Sequence, residues 1–380
     1  MYSRKSEILK ITKHEWKLGI NIGRGTCSEV FEASGTLCLK NGRKRAVKGA
    51  VKIFKEGSQY EQTAINEIKI LQYLGHEAGS LNIHCIVHLL DYFLYRGSFH
   101  LVFERLDCHL HHILLKHSGK GLPLSIVRRC SRDVVEALSF LAISRVVHGD
   151  LKMSNVMWNP KRGIFQLVDF GLSFTEGHQL SQPLQSPGYQ SPEVQMWNRL
   201  VANGVTEKSM LKCFFACDMW SFSYVLWYMY TGQSAPRHDA YEPVCVMCLQ
   251  EKDAECVHFH QIQKELPKDE RKITLEQHNF FLDFVMRMMK CKPEQRITPF
   301  NAMQHAFLNG GSPWNTPLGL TELLLLPTRI LQLTNIHLED LSAEFLFDEL
   351  IDVKEECAKF GALKGFKFAG DSNTGYKGIC

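Results

Sequence analysis

The sequence predicts an α+β fold of two unequal lobes with a crevice between them. Three observations carry this. Residues near 16 to 54 alternate short β-favouring runs with turn signals. From Leu124 onward, apolar residues recur at helical spacing. Between these regimes the stretch VVHGDLKMSNVMW (Val146 to Trp158) sets a polar island between two apolar runs. A β-rich beginning that turns α-rich fits a small sheet beside a larger helical body, with a site at their junction.

Each element follows in order. KNGRKR (40 to 45) marks a turn inside the first sheet, and reads either as a solvated hairpin tip or as a nuclear import signal. YEQTAINEIKILQYLG is a helix with Ile65, Ile68 and Leu71 on one side, and FHLVFERL is a buried strand. HLHHILLKH (109 to 117) reads as a helix with a solvated face. In the long helix after Leu124, Val127, Cys130, Val134, Ala137, Leu138 and Leu141 form one apolar stripe. The run Tyr224 to Tyr230 is too short to span a bilayer and reads as a buried core helix. NGGSPWNTPLG (309 to 319) is dense in Gly and Pro and predicts a linker. Beyond it come a strand-like ILQLTNIHL, a helix from about Glu344 to Phe360 stopped by Gly361, and a short second strand.

Composition narrows the classes. A net charge of +4 over 380 residues is mild and gives no strong vote for nucleic acid or an acidic surface. Thirteen cysteines, an odd number without framework spacing, favour reduced thiols in the cytoplasm or nucleus. MYSRKSEILK lacks the apolar core of a secretory signal, and Cys380, being terminal, is not a prenylation signal. CVMCLQEKDAECVHFH gathers Cys245, Cys248, Cys256, His258 and His260, which could bind zinc; Val244, Met247 and Leu249 suggest an amphipathic helix instead.

The chemistry is carried by groups that would be costly to bury without partners. In IGRGTCSEV (22 to 30), Gly23 and Gly25 let the backbone approach a phosphate closely, although a plain hairpin turn explains them about as well. In GAVKIFK, strand alternation sends Ala50, Lys52 and Phe54 to one face. An inward lysine needs an anion, and Glu67 on the next helix is placed to serve; Lys48 is the rival lysine. HGDLKMSN supplies Asp150, Lys152 and Asn155, and LVDFGLS supplies Asp169. An acid to orient a hydroxyl, with Asn and Asp to hold magnesium and Lys beside the phosphoryl group, is the minimum for phosphoryl transfer from ATP. Downstream, Glu193 and Arg296 are expected to form a buried ion pair, and Asp218 to anchor the backbone of the 148 to 150 loop.

The order of these motifs resembles that of the protein kinase signature set over residues 14 to 309. The resemblance implies a two-lobed protein kinase fold, with a β-rich N-lobe and an α-helical C-lobe, using ATP and Mg2+. It implies that Ile22, Gly23 and Gly25 lie over the nucleotide, that Val30 and Ala50 roof the adenine, that Phe103 is the gatekeeper, and that Glu104 and Leu106 give hinge contacts. Lys152 within DLKMSN resembles the serine/threonine class, as does Ser186, implied to pack near Asp150 and Lys152. Three positions depart from the pattern: Ser28 and Ser191 replace Gly and Ala, and Gly149 replaces the Arg of H-R-D. That Arg pairs with a phosphorylated activation loop in many kinases. The expectation is therefore activity without phosphorylation of residues 172 to 190.

The tail, divided into a linker (310 to 326) and residues 327 to 380, resembles an RNA-recognition motif of the UHM type. ILQLTNI matches the first strand, with Gln332 in place of the base-stacking aromatic. Leu346, Leu350, Val353 and Cys357 share a helix face, while Asp348, Glu349, Asp352, Glu355 and Glu356 leave the helix acidic elsewhere, which repels phosphate. The segment is expected to be a partial, β-α-β RRM/UHM-like piece that ends after its second strand. Serine/threonine kinases bearing such a motif imply protein substrates with Ser/Thr sites followed by proline, in splicing and cell-cycle regulators. They also imply splicing-factor peptides as partners of the tail, a nuclear location with the cytoplasm second, no direct RNA binding and no membrane. The alternative is a catalytically weak kinase-fold scaffold acting through protein interaction in RNA processing. Intact Lys52, Asp150, Asn155 and Asp169 speak against it.

Overall fold

Alternating apolar and polar residues over His14–Arg24 (β2), Ser28–Cys38 (β3) and Lys44–Phe54 (β4) fold back on one another as antiparallel strands. With Ile8–Ile11 (β1), Leu89–Tyr95 (β5) and Ser98–Glu104 (β6) they complete a six-stranded sheet of order β1-β2-β3-β4-β6-β5. The β3–β4 register runs unbroken from Ser28↔Phe54 to Cys38↔Lys44, whereas β6 covers only Gly49 to Ile53 of β4. Arg96 and Gly97 close the β5–β6 hairpin with φ of 48° and 76°, the primed geometry whose twist matches that of paired strands. Trp16, Leu18, Phe31, Ala33, Val51, Phe93 and Val102 form a buried cluster of this lobe.

This computed structural model describes residues 8–11, 14–38, 43–79, 83–117, 119, 121–175, 182–204, 214–233, 275–309, 326, 368–370 and 377–379. The chain divides into two units, residues 1–318 and 319–380. In the second, strands Phe368–Gly370 and Lys377–Ile379 pair antiparallel with Phe368 opposite Ile379. The strand expected at 330 to 338, the helix expected at 344 to 360 and the Cys245–His260 cluster lie outside the described residues. Among the described residues no helix is long and apolar enough to cross a membrane.

Helix α1 (Ser58–Ala78) packs beside the sheet and buries Ala64, Glu67, Ile68, Leu71 and Leu74. Ile65, expected on the inward side, is only half-buried. Ile68 and Leu71 are buried as expected, and the buried face extends from them to Glu67, whose carboxylate meets a lysine of the sheet. Helix α2 (Leu110–Lys116) turns Leu110, Ile113 and Leu114 inward and leaves His112 and Lys116 exposed.

The second lobe centres on α3 (Leu124–Ile143), whose expected stripe from Val127 to Leu141 is buried, and on α5 (Phe214–Thr231). Trp220, Trp227 and Tyr230 of α5 are nearly inaccessible, as suits a helix apolar on all sides. Helix α4 (Pro192–Ala202) precedes α5; α6 (Leu275–Met288), α7 (Pro299–Met303) and α8 (Ala306–Asn309) follow it, with Phe281 and Phe284 packed on Phe307. Between α3 and α4 run short strands: β7 (Val146–Val147), β8 (Val156–Asn159), β9 (Ile164–Leu167) and β10 (Phe174–Thr175), paired β7 with β10 and β8 with β9.

Asp133 ties α3 to β9 by accepting from the Phe165 N–H (2.9 Å) and from Arg129 (3.3 Å). Burial pushes its carboxyl up to about 6. The folded state thus keeps a proton that the unfolded chain releases at lower pH. This group therefore makes the fold less stable as pH rises from the ordinary carboxyl range through about 6. Asp133→Asn is expected to flatten that slope, read as urea midpoints of both proteins at about pH 4.5 and about pH 7. Parallel profiles for the two proteins would contradict it.

Candidate active site

Strand β4 alternates, so Ala50, Lys52 and Phe54 share a face. Lys52 Nζ donates to Glu67 Oε2 of α1 and to Asp169 Oδ1, each at 2.7 Å, and stands 4.9 Å from the Phe54 ring centroid. Lys48, the rival, is exposed at the part of β4 that β6 does not cover. Burial alone would lower the Lys52 ammonium, but the Asp169 and Glu67 carboxylates outweigh it and hold the lysine well above its ordinary value. Asp169 is lowered: burial opposes its ionisation, and Lys52 overcomes that through charge and hydrogen bond. Glu67, 1% exposed, is pushed up by burial and only partly returned by Lys52. One cation thus joins the sheet, α1 and the loop after β9.

The polar island follows β7. Its backbone is fixed from below by Asp218 of α5, whose carboxylate accepts from the His148 N–H (2.7 Å) and the Gly149 N–H (3.0 Å). His148 Nδ1 accepts from the Asp150 N–H (3.2 Å), which leaves the hydrogen on Nε2 to meet the Val168 carbonyl at 3.1 Å. Its ring packs on Phe170, 4.9 Å away. Both oxygens of Asp150 are engaged. Oδ2 accepts from Lys152 Nζ (2.7 Å) and Asn155 Nδ2 (3.2 Å), and Oδ1 from Ser186 Oγ (2.7 Å) and the Ser186 N–H (3.0 Å). Lys152 also donates to Ser186 Oγ at 2.8 Å, and Asn155 to the Asp150 carbonyl at 2.8 Å. Every side chain of the island that is buried has a partner, which answers its desolvation cost.

Gly149 has a backbone reason beyond its lack of a guanidinium. Its φ is +76°, and an added Cβ would lie 2.8 Å from the Leu172 carbonyl oxygen. An L residue here meets both an unfavourable conformation and a collision. Gly149→Ala is expected to cost about 1–3 kcal/mol, measured as a lowered urea midpoint. An unchanged midpoint would count against it.

Asp169 itself adopts φ of 66°, a left-handed conformation uncommon outside glycine. The segment behind it is held by Asn66 of α1, whose Nδ2 donates to the Gly171 (3.0 Å) and Ser173 (2.8 Å) carbonyls. Sequence reasoning missed Asn66; the only signal was a second polar residue beside Glu67. It also missed Gln185, at φ of 55°. The Gln185 N–H meets the Gly149 carbonyl (2.8 Å). Its side chain spans Cys217, Ser221 and the Ser191 N–H, and its carbonyl accepts from Gln190 Nε2 (3.1 Å). Arg296, with a side chain wholly inaccessible, grips Glu193 through two bonds of 2.5 and 2.6 Å. It also donates to the Ala216, Cys291 and Lys290 carbonyls and lies 5.0 Å from the Trp220 ring.

At the other side of the cleft, Phe103 of β6 pairs in register with Ala50, and Val30 of β3 with Lys52. Ile22 sits at an irregularity between the paired residues Asn21 and Gly23, ahead of a tight turn closed by the Gly25 N–H on the Ser28 carbonyl (2.8 Å). The Glu104 carboxylate is tied to Asn159 (3.3 Å) and Gln166 (3.1 Å). Leu106 is buried, and its carbonyl accepts from Arg105 at 2.7 Å. The structure thus brings Lys52, Glu67 and Asp169 into one cluster and Asp150, Lys152, Asn155 and Ser186 into another, with Asp218 below.

A sheet lobe, a helical lobe and these two clusters define a phosphotransferase architecture, and comparison with known proteins places it. The model of the protein kinase domain family matches residues 16–308, so the chain belongs to the protein kinase family. Among its relatives, serine/threonine-protein kinase Kist of Homo sapiens is 32% identical over 268 residues, covering 69% of this chain and 59% of the relative. Kist of Mus musculus matches to the same extent. Dual specificity tyrosine-phosphorylation-regulated kinase 4 of Homo sapiens is 28% identical over 315 residues, 76% of this chain and 56% of the relative. The match spans less than two thirds of each relative's own length.

Proposed function

We propose that the chain is an Mg-ATP-dependent protein serine/threonine kinase. The observation that carries this reading is Lys52 held by Glu67 and Asp169 together, at 2.7 Å each. A lysine fixed by carboxylates from two other elements is a positioned cation, suited to the α and β phosphates of a nucleotide.

The donors in the cleft fit the expected metal. Asn155 and Asp169 offer hard oxygens, the type Mg2+ prefers. Asp169 Oδ1 meets Lys52, and its other oxygen takes no hydrogen bond among the described residues. Asn155 donates twice through Nδ2, which leaves Oδ1 with only a 3.4 Å contact from Ser154. When bound, Mg-ATP supplies the phosphoryl group and neutralises its charge. Asp150 orients the acceptor hydroxyl and accepts its proton. Lys152, pinned by Asp150 and Ser186, sets its charge beside the transferring group. Ile22, Gly23, Gly25, Val30 and Ala50 would cover the nucleotide, and the backbone at Glu104 and Leu106 would hold its adenine.

The acceptor is read as Ser or Thr followed by proline. Gln185 precedes Ser186, which touches Asp150, so it lies where residues flanking an acceptor would pass. Its left-handed backbone and the engagement of its carbonyl by Gln190 disfavour pairing with an incoming N–H, which proline lacks. Protein substrates among splicing and cell-cycle regulators, an RRM/UHM-like segment at 327 to 380 that takes splicing-factor peptides, and a nuclear location complete the proposal. The match to a serine/threonine-protein kinase supports the kinase part of this reading, and the resemblance of the tail sequence carries the rest.

Phosphate transfer from labelled ATP to a Ser/Thr peptide library, with and without proline after the acceptor, tests the reading. Mg-dependent transfer favouring proline is expected. Equal use of both peptide classes would remove the proline preference, and no transfer would remove the kinase. Gly149 adds an expectation: phosphatase-treated protein should retain its activity, and abolition of activity would contradict an activation loop that needs no phosphate–arginine contact.

A further inference from the structure

Strand β4 has an edge that catalysis does not use. β3 pairs with it back to Lys44, but β6 begins only at Gly49. Among the described residues, 44 to 48 therefore have a strand neighbour on one side only, and their outward backbone groups form an open edge there. Lys44, Arg45 and Lys48 are exposed there, and none makes an ion pair or side-chain hydrogen bond among the described residues. The register Lys17↔Ser34↔Lys48 adds Lys17, also exposed and unpaired among the described residues, on the same face two strands away. Two strand spacings make that about 10 Å. Alternation puts Lys44 and Lys48 with Lys17, and Arg45 on the opposite face. Glu15, across Thr36 from Ala46, is the nearest acidic position in register, so positive charge remains in surplus. The neighbouring Glu32 is already bound to Arg105 at 3.1 Å.

Cations on an edge ordinarily repel a like strand. An acidic strand inverts that effect. We propose that this edge docks an extended, acidic segment of a partner protein. The segment adds as a strand beside residues 44 to 48 and sets its carboxylates on the face of Lys44 and Lys48; Lys17, on that face two strands inside the edge, adds to the positive field they meet. Backbone bonds along the edge supply affinity, and the alternating side chains supply selectivity. Charge complementarity chooses the occupant and speeds its encounter. The site is independent of phosphoryl transfer and would persist in a chain without it.

The test uses the full chain and a fluorescein-labelled peptide of alternating Glu and Val, followed by anisotropy. Saturable binding is expected, weakening as salt is raised to about 0.15 M. The double variant Lys44→Glu, Lys48→Glu should bind on the order of tenfold more weakly, and Lys44→Gln, Lys48→Gln should fall between. Both variants should phosphorylate a short neutral peptide as the wild type does, which shows them folded. Backbone amides of residues 44 to 48 should exchange more slowly once the peptide is bound. A peptide with proline at alternate positions, unable to pair its backbone, should bind more weakly. No binding by the wild type, equal binding by the variants or by the proline peptide, or unchanged exchange at 44 to 48 would each overturn the proposal. So would tighter binding of a single-stranded RNA of equal charge.

Discussion

Asp150→Asn is expected to slow phosphoryl transfer by about 10²–10⁴-fold, the usual contribution of a positioned acid–base group. That corresponds to roughly 3–5 kcal/mol of barrier. Asn keeps the size of Asp and can still accept from Ser186 through Oδ1, while its Nδ2 can only donate and so gives up the bonds from Lys152 and Asn155. It loses the basicity that accepts a hydroxyl proton and the charge that holds Lys152 at 2.7 Å. Nucleotide affinity should change little, because Lys52, Glu67 and Asp169 are untouched. Single-turnover kinetics with a nucleotide titration separates the two effects. Near-wild-type turnover would remove Asp150 from its role.

Arg296→Ala is expected to have the largest effect on stability, about 3–5 kcal/mol. The guanidinium is inaccessible, holds Glu193 by two bonds and satisfies three backbone carbonyls. Its removal leaves the carboxylate facing an apolar wall beside Trp220 and frees the carbonyls near Ala216 and Cys291. The double variant Glu193→Gln, Arg296→Met should recover part of the loss, since an apolar side chain of similar volume no longer faces a stranded charge. Urea unfolding of the three proteins gives the comparison. A single variant as stable as the wild type would show that the pair is dispensable.

These two sites differ in how they could be read. Buried charge demands a partner, so the sequence rule that pairs Lys52 with Glu67, and Glu193 with Arg296, reaches across 15 and 103 positions. Asp218 was legible for the same reason, as a carboxylate inside the most apolar helix. The β-then-α regime was legible because periods of two and of 3.6 differ plainly. Backbone conformation was not. Spacing does not reveal that Asp169 and Gln185 take positive φ, or that Gly149 must keep clear of the Leu172 carbonyl. The sequence argument for Gly149 concerned a missing guanidinium; the structure adds a steric one. Asn66, Gln185 and Gln190 act on backbone carbonyls and amides far along the chain, and an amide side chain on a helix or loop gives no hint of that. On α1 the burial of Ile68 and Leu71 was legible, but Ile65 is only half-buried because the buried face also takes in Glu67, which Lys52 supplies with a partner.

The central claim is that this chain moves the γ-phosphate of ATP to protein hydroxyls through the cluster around Asp150. Incorporation of label from γ-labelled ATP into a Ser/Thr-containing protein substrate, by the wild type and by Asp150→Asn side by side with Mg2+ present, tests it most directly. The account predicts phosphoserine or phosphothreonine with the wild type and a loss of about 10²-fold or more with the variant. Equal incorporation by both proteins, or none by the wild type while nucleotide binds, would contradict it.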